Sequence, residues 1–482
     1  METTGTIGHD GASCGLEKFA IGRPWFTFSN MNSHHSKYTM DMCHGPLLRE
    51  IIVFAWPLFC STLLQLTFTS ADHIVVGRFA SPLALAAVGS TTVVTNLIIN
   101  FFMGISIGAN VLTAHFYGAG EYSRLKDTVN TAMTISVFGG IVMGLLGIAV
   151  SRPVLLMINT PMDVLDKGVL YMRIYFAGMP FIMIYNFGSA VLRAIGDTKR
   201  ALYYLTTAGI INFVLNLIFV ICFHMDADGV ATATVISQMF SACLVWRAIA
   251  NTEEIGGLHV RDLKLDPAIL KQIIKLGLPA GFQSVSFSIA NIVIQSSINS
   301  FGSLAMAGNT AALNIEMLVN SGSSAFHHTA ISFTGQLYGG KAFARMKKFI
   351  YYCLGMSEVV VMTMALTALY FGPQLMLLFT KDPVVVDWGM QRMRIVFVFY
   401  FTHSFMQVFS GTMRGIGKSF AAFIIVLFCA CVFRILWILF IFPHHRTLGG
   451  LLMCFPVSWL LVSAVSGIYL AIVFKRELRV TV

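Results

Sequence analysis

Along most of the chain the apolar residues fill long runs, broken by short clusters of charge, Gly or Pro, instead of alternating or following one helical stripe. A helix that crosses the hydrocarbon core of a bilayer needs roughly 20 mostly apolar residues. The runs predict twelve spans, at about 50–78, 83–115, 125–150, 168–192, 199–224, 229–251, 267–301, 304–337, 345–372, 385–413, 419–443 and 447–475. The expected fold class is an all-α polytopic membrane protein. Residues 1–45 lack the charged-then-apolar order of a signal peptide and are expected to form a loose cytoplasmic extension. The remaining boundaries are a first six-helix lobe at 46–251, a charged cytoplasmic linker at 252–266, a second lobe at 267–476 and a short cytoplasmic tail at 477–482.

Two lobes follow because the sequence resembles itself at a nearly constant offset. Trp56-Pro57-Leu58 parallels Leu278-Pro279-Ala280, with the prolines 222 residues apart. The turn His115-Phe116-Tyr117-Gly118-Ala119-Gly120 parallels Gln336-Leu337-Tyr338-Gly339-Gly340-Lys341, and Leu192-Arg193-Ala194-Ile195-Gly196-Asp197 parallels Met413-Arg414-Gly415-Ile416-Gly417-Lys418, both at an offset of 221. Six spans per unit is an even number, so both lobes enter the membrane in the same direction, as a parallel repeat about an axis along the membrane normal. In such transporters the substrate passes between the lobes.

Composition narrows the class. Only 11% of residues are charged and 56% are hydrophobic, with a mean hydropathy of +0.75; soluble domains carry about 25% charged residues. A soluble enzyme, a disordered chain and a disulfide scaffold are excluded. The net charge of +10 is scattered between apolar runs, whereas nucleic-acid binding needs a basic patch. If both termini are cytoplasmic, 23 of the 32 Lys and Arg residues fall in inside segments and five in outside loops, the asymmetry expected of a multi-pass protein of the cell (inner) membrane. The nine cysteines form no CxxC and lie mostly in apolar stretches, so they read as small buried hydrophobes and no metal or cofactor is expected. No GxxxxGK[ST] motif is present, which excludes ATP as the direct energy source.

Ionisable groups inside the membrane are costly, so each is a functional candidate. Asp72 precedes Arg78 by six residues and lies roughly 9 Å below the outer end of the first span. Asn212 and Asn216 lie roughly 18 and 24 Å along the fifth span and share a face, and Thr234 is about 8 Å deep in the sixth. These four side chains can therefore occupy the outer part of the first lobe. Their carboxylate, amide and hydroxyl oxygens suit a hard monovalent cation, and a desolvated carboxylate suits a proton. The bland alternative for Asp72 is an interfacial or helix-packing acid. In the second lobe Glu316 and Glu358 fall near the midplane on adjacent antiparallel spans and could share a proton. Glu316 reads either as a cavity acid that attracts cationic substrate or as a structural group, and Glu358 as structural. Arg434 and His403 are expected to satisfy second-lobe acids, and His327 and His328 to hydrogen-bond near the inner end of the eighth span. The 26 Met and 40 Phe mostly face lipid or other helices.

The run Ser70-Ala71-Asp72-His73-Ile74-Val75-Val76-Gly77, the segment Leu85-Ala86-Ala87-Val88-Gly89, the Tyr117-Gly118-Ala119-Gly120 turn, Leu192 through Thr198 followed by Asn212, and Gly229 through Gln238 together resemble the multidrug and toxic compound extrusion (MATE) family. The resemblance covers about residues 46–476. It implies a twelve-helix antiporter that exports organic cations or drugs in exchange for H+ or Na+, acting as a monomer in the lipid bilayer. The family's cation site matches Asp72, Asn212, Asn216 and Thr234; the departure is Asn216, where some members carry aspartate. An acid in the seventh span and another in the tenth, three residues before a glutamine, are missing here: the seventh span offers Gln283, and Ser404 precedes Gln407. The possible second-lobe substrate or proton site is therefore Glu316, Gln283, His403 and Gln407. Two rival functions are a lipid-linked oligosaccharide flippase, which would need a cationic cavity where only Arg434 is deep, and a polytopic membrane enzyme, for which no HExxH, GxSxG or intramembrane aspartate pair appears.

Overall fold

The computed structural model describes residues 39–258, 263–444 and 446–480, and all regular secondary structure among them is helical. Twelve rods follow in chain order: α1 (Leu47–Phe79), α2 (Pro82–Gly118), α3 (Tyr122–Met157), α4 (Met162–Ala177 with Met179–Ala194), α5 (Thr198–Cys222), α6 (Ala227–Ala250), α7 (Pro267–Asn299), α8 (Ser303–Gly339), α9 (Phe343–Tyr370), α10 (Pro383–Val398 with Tyr400–Gly415), α11 (Ser419–His444) and α12 (Leu448–Arg476). Among the described residues nine rods are long and apolar enough to cross a membrane, and the bent pairs α4 and α10 pass as single spans. The remaining rod, α8, is 37 residues long. Asn309, Asn314, Glu316, Asn320, His327 and His328 make it more polar, and more than half of its residues are buried against other helices, where protein replaces lipid as the solvent for those groups.

Helix starts follow local chemistry. Ser81, Asp197, Asp266 and Asp382 each accept a hydrogen bond from a backbone N–H of the first turn, and at Ser81, Asp266 and Asp382 a proline follows, whose missing N–H costs nothing there. The repeat is also written in the backbone. α4 bends by 47° around Gly178 and α10 by 52° around Phe399, 221 residues later. The turns at Gly196 and Gly417 both have positive φ (92° and 79°), as do Gly120 and its counterpart Lys341 (71° and 54°).

The lobes meet along a seam of small residues. Gly104 and Gly108 of α2 lie on Gly281 and Gly277 of α7, so closely that a Cβ at any of the four would strike the backbone of the other helix. Gly118 and Gly339 do the same between α2 and α8. Polar bonds reinforce the seam: Asn110 Nδ2 donates to Ser332 Oγ (3.3 Å), Gln336 Nε2 to the Ala194 carbonyl (2.7 Å), and His115 Nε2 lies 2.6 Å from the Gly415 carbonyl. These contacts belong to the end of the bundle that carries the 252–266 segment, the linker end.

Residues 39–45 differ from the expected loose extension. The Met40 amide donates to the Ile195 carbonyl (3.1 Å) and the Met42 amide to Gln336 Oε1 (3.1 Å). Arg345 donates to the carbonyls of Met42, His44 and Gly45 and to Glu50, at 2.8–3.0 Å. Met42 is wholly buried in a cluster with Phe54, Phe333 and Phe349. One apolar anchor and a row of satisfied backbone groups thus hold this strap across the linker ends of both lobes. The expectation for residues 1–38, and for 259–262 of the linker, lies outside the described residues.

At the far end Lys167 Nζ donates to Asp226 Oδ2 (2.5 Å) and Ser81 Oγ (3.3 Å), while the Ser81 amide donates to Asp226 Oδ1 (3.1 Å), which ties three connections together. The hydrogen bond from Lys167, aided by those from Ser81, holds the Asp226 carboxyl below its ordinary range against a smaller opposing desolvation. A carboxyl depressed by folding stabilises above its unfolded pKa, and that contribution fades as pH falls through the lower folded value. In thermal melts of detergent-solubilised protein, Asp226→Asn should cost about 0.5–1 kcal/mol at pH 7, the small value reflecting partial exposure, with the difference from wild type fading as pH falls through the lowered folded pKa of the carboxyl.

Candidate functional site

Gly209 of α5 leaves room for the Phe68 ring of α1. This approach comes one turn before Asp72 on α1 and just before Asn212 on α5, and so brings the two polar stretches together. Asn216 Nδ2 donates to Asp72 Oδ1 at 2.6 Å and to Asn212 Oδ1 at 3.3 Å; Asn212 Nδ2 donates to Thr234 Oγ1 at 3.4 Å. The Thr234 hydroxyl donates to the Val230 carbonyl at 2.9 Å. All four residues singled out in the first lobe form one continuous line across α1, α5 and α6.

Asn216 is fully buried, and its Oδ1 has no hydrogen-bond partner among the described residues. Val75, Val76, Tyr171, Val220 and Val230 form an apolar cluster around the same three helices and α4. A carboxylate and an unpartnered carbonyl oxygen in such surroundings form a hard-oxygen donor set for a proton or a small monovalent cation. Among the described residues no three His, Cys, Asp or Glu side chains converge to hold a metal.

The second lobe departs from the sequence reading in three ways. Glu316 does not share its charge with Glu358: Arg392 grips its Oε2 through Nη2 (2.7 Å) and Nε (3.2 Å) and bonds Asn309 Oδ1 through Nη1 (2.9 Å). Arg434 is not the only deep guanidinium, since Arg392 is equally buried at 2% exposure. Nor does Arg434 satisfy an acid; its Nε donates to Ser458 Oγ at 2.9 Å. Arg392 is the residue that sequence reasoning missed. The available signal was its place inside a span, nine residues beyond Pro383.

A cavity of about 290 Å³ opens between the second-lobe helices, and Glu316, His403, Gln407 and Arg434 line it together with Tyr400 and Trp459. Gln283 is buried on α7 outside that lining, its Oε1 without a partner among the described residues. His403 packs against Tyr400 and Trp459, each with ring centroids 4.9 Å away. Glu358 keeps a buried Oε1 that has no partner among the described residues, next in sequence to the Ser357 hydroxyl that bonds Ser404 at 2.6 Å. His327 hydrogen-bonds through Nδ1 to the Gln407 carbonyl (2.8 Å), which leaves Nε2 to accept from Arg414 (3.2 Å).

The family model described as MatE matches residues 57–218 and again 279–439. The chain belongs to the MatE family. The two matched segments open on Pro57 and Pro279, the pair that first revealed the repeat. Among MatE-type relatives, the probable multidrug resistance protein YoeA of Bacillus subtilis (strain 168) is 26% identical over 442 residues, 89% of this chain and 94% of that protein. The multidrug export protein MepA of Staphylococcus aureus (strain NCTC 8325 / PS 47) is 22% identical over 451 residues, 91% and 96% of the two chains. Two solved structures, one of a MATE protein in the straight conformation and one of an outward-facing multidrug resistance MATE family transporter, superpose with TM-scores of 0.85 and 0.86. They are 23% and 22% identical, cover 92% and 93% of this chain and are themselves covered completely (100%). The fold is therefore the two-lobe, twelve-helix MatE architecture of a multi-pass membrane protein.

Proposed function

We propose that this chain is a secondary active antiporter that exports organic cations or drugs from the cell in exchange for H+ or Na+. The observation that carries the reading is the line from Asp72 through Asn216 and Asn212 to Thr234, set in apolar surroundings within one lobe of a bundle whose lobes are seamed at one end. A proton or cation on Asp72 removes the charge that Asn216 answers, so occupancy alters the contact between α1 and α5. A cationic substrate favours the opposite state, and exchange follows because the two cannot be held at once. The printed names of the relatives, multidrug resistance and multidrug export proteins, support the substrate class. The Glu316–Arg392 pair is neutral as a unit, so the second-lobe cavity is left with one uncompensated guanidinium, short of what the pyrophosphate of a lipid-linked sugar would need. This favours the antiporter over the flippase, and transporter relatives favour it over a membrane enzyme. The protein works as a monomer, with the linker end and both termini in the cytoplasm.

The test is efflux of a fluorescent organic cation from everted vesicles, driven separately by a proton gradient and by a Na+ gradient. Dye movement that ignores both gradients sinks the antiport reading. Orientation is checked in a Cys222→Ser background: His224→Cys, at the far end, should react with an impermeant thiol reagent on intact cells, and Glu253→Cys should react only after lysis. The reverse pattern would turn the protein over.

Asn216→Asp would place a second carboxylate beside Asp72, at the 2.6 Å contact now made by the amide. Two adjacent acids repel, so the pair takes up a proton at higher pH and binds a cation that neutralises both more tightly. Na+ should then support or inhibit efflux roughly tenfold more strongly than in wild type, the equivalent of about 1.4 kcal/mol, and the pH optimum should move upward. Unchanged ion dependence and pH profile would remove Asn216 from the site.

A further inference from the structure

Arg434 differs from the charges around it. Glu316 and Arg392 answer each other, and Arg414 is bonded to His327. Arg434 is only 2% exposed, yet among the described residues its one hydrogen bond runs from Nε to Ser458 Oγ, so the two terminal nitrogens of its fork have no acceptor. It lines the 290 Å³ cavity. Its Cζ lies 4.5 Å from the Phe455 ring centroid, 5.9 Å from Phe287 and 6.0 Å from Trp459, so aromatic walls hold the plane of the fork. Ring faces attract a cation but accept no hydrogen bond of ordinary strength, and a buried guanidinium without an acidic partner is costly. The side chains of Glu316, Arg392 and Arg434 together leave this region with one net positive charge.

We infer that the second-lobe cavity binds a carboxylate carried on a flat aromatic body, gripped in bidentate fashion by the terminal nitrogens of Arg434, with the ring among Phe287, Tyr400, Phe455 and Trp459. The free edge of the planar fork, its two terminal nitrogens, matches the two oxygens of a carboxylate. The aromatic walls match a flat ring, and the cavity volume holds a body of one or two fused rings. An organic cation without a carboxylate finds there only Glu316, whose charge Arg392 already answers. The cavity therefore favours a ligand that carries an aromatic carboxylate over a plain organic cation. This deepens the transport reading and rests on it for what becomes of the bound ligand. Binding itself is measured at equilibrium, so an efflux assay that fails and a binding assay that fails point to different errors.

The test uses full-length protein in phosphatidylcholine nanodiscs, titrated by calorimetry with 1-naphthoate and with 1-naphthylmethylammonium, which share a ring and differ in charge. Wild type should bind naphthoate the more tightly. Arg434→Gln should weaken naphthoate roughly 10- to 100-fold, the worth of a charged hydrogen-bonded pair, and spare the ammonium probe; Arg434→Lys, which keeps the charge and loses the fork, should fall between. Equal affinity of the two probes for wild type, or unchanged naphthoate affinity in Arg434→Gln, overturns the proposal. Should Arg434→Gln fail to fold, Asn320→Cys on the cavity wall replaces it, with Arg434 intact. Naphthoate should slow alkylation of that cysteine, read on its peptide by mass spectrometry, and the ammonium should not. Absence of protection by naphthoate overturns the proposal equally.

Discussion

Asp72→Asn should reduce gradient-driven efflux to the vesicle background while leaving the protein inserted and folded. The substituted amide still offers an oxygen to Asn216 Nδ2, which now donates to Asp72 Oδ1 at 2.6 Å, so the α1–α5 contact survives as a neutral hydrogen bond. What disappears is the one group in the line from Asp72 to Thr234 that can take up and release a proton or balance a cation's charge. Retained expression and an unchanged melting profile, together with lost transport under both a proton and a Na+ gradient, are the expected pattern. Wild-type efflux at normal expression would end the assignment of Asp72 as the coupling acid. The effect of Asn216→Asp should also shrink in the Asp72→Asn background, because the two side chains touch and their effects cannot add independently.

Gly277→Val should be nearly as damaging for a different reason. A side chain at Gly277 would land on the backbone carbonyl of Ile105 in α2, and backbone cannot turn aside as a flexible side chain can. Overpacking of this kind costs roughly 1–3 kcal/mol. The strain is relieved if the lobes part at the linker end, and that cost becomes a shift of about 5- to 150-fold towards the parted arrangement. A reporter cysteine at the buried seam residue Ser332 should then alkylate faster by a factor in that range, and efflux should fall with it. Gly355→Val is the control, since a side chain there meets no atom within 4 Å. If Gly277→Val transports normally and leaves Ser332→Cys as protected as before, the glycine seam is not what holds the linker end shut.

The rods were legible in the sequence because length and apolarity alone decide whether a helix can cross a bilayer. The repeat was legible because turns at Gly120, Gly196, Lys341 and Gly417 need unusual backbone angles and leave recognisable sequence around them. The first-lobe line was legible because depth along each span can be counted from its charged ends, and polar groups at compatible depth in a low-dielectric medium gain by meeting. Depth does not reveal which rod stands beside which. The expected neighbour of Glu316 is therefore the wrong one: Glu358 on α9 shares its depth, but Arg392 on the first segment of α10 reaches it instead. The strap was hidden for a related reason. Residues 39–45 hold few apolar side chains, and their partners come from two distant parts of the chain, Ile195 in one and Gln336 and Arg345 in the other. The glycine pairs 104/108 and 277/281 were readable as small residues four apart, and only the fold shows that they face each other.

The strap also sets an order of events during synthesis. Met42 leaves the ribosome early, but the amide side chain that receives its backbone N–H, Gln336, is made 294 residues later. At translation rates of about 5–20 residues per second, that gap lasts roughly 15–60 s. Until it ends the strap lacks its second-lobe partners, and the α2 glycine face stays uncovered until Gly277 and Gly281 of α7 have been made. Sealing of the linker end is thus a late step of biogenesis, completed only after Arg345 has emerged.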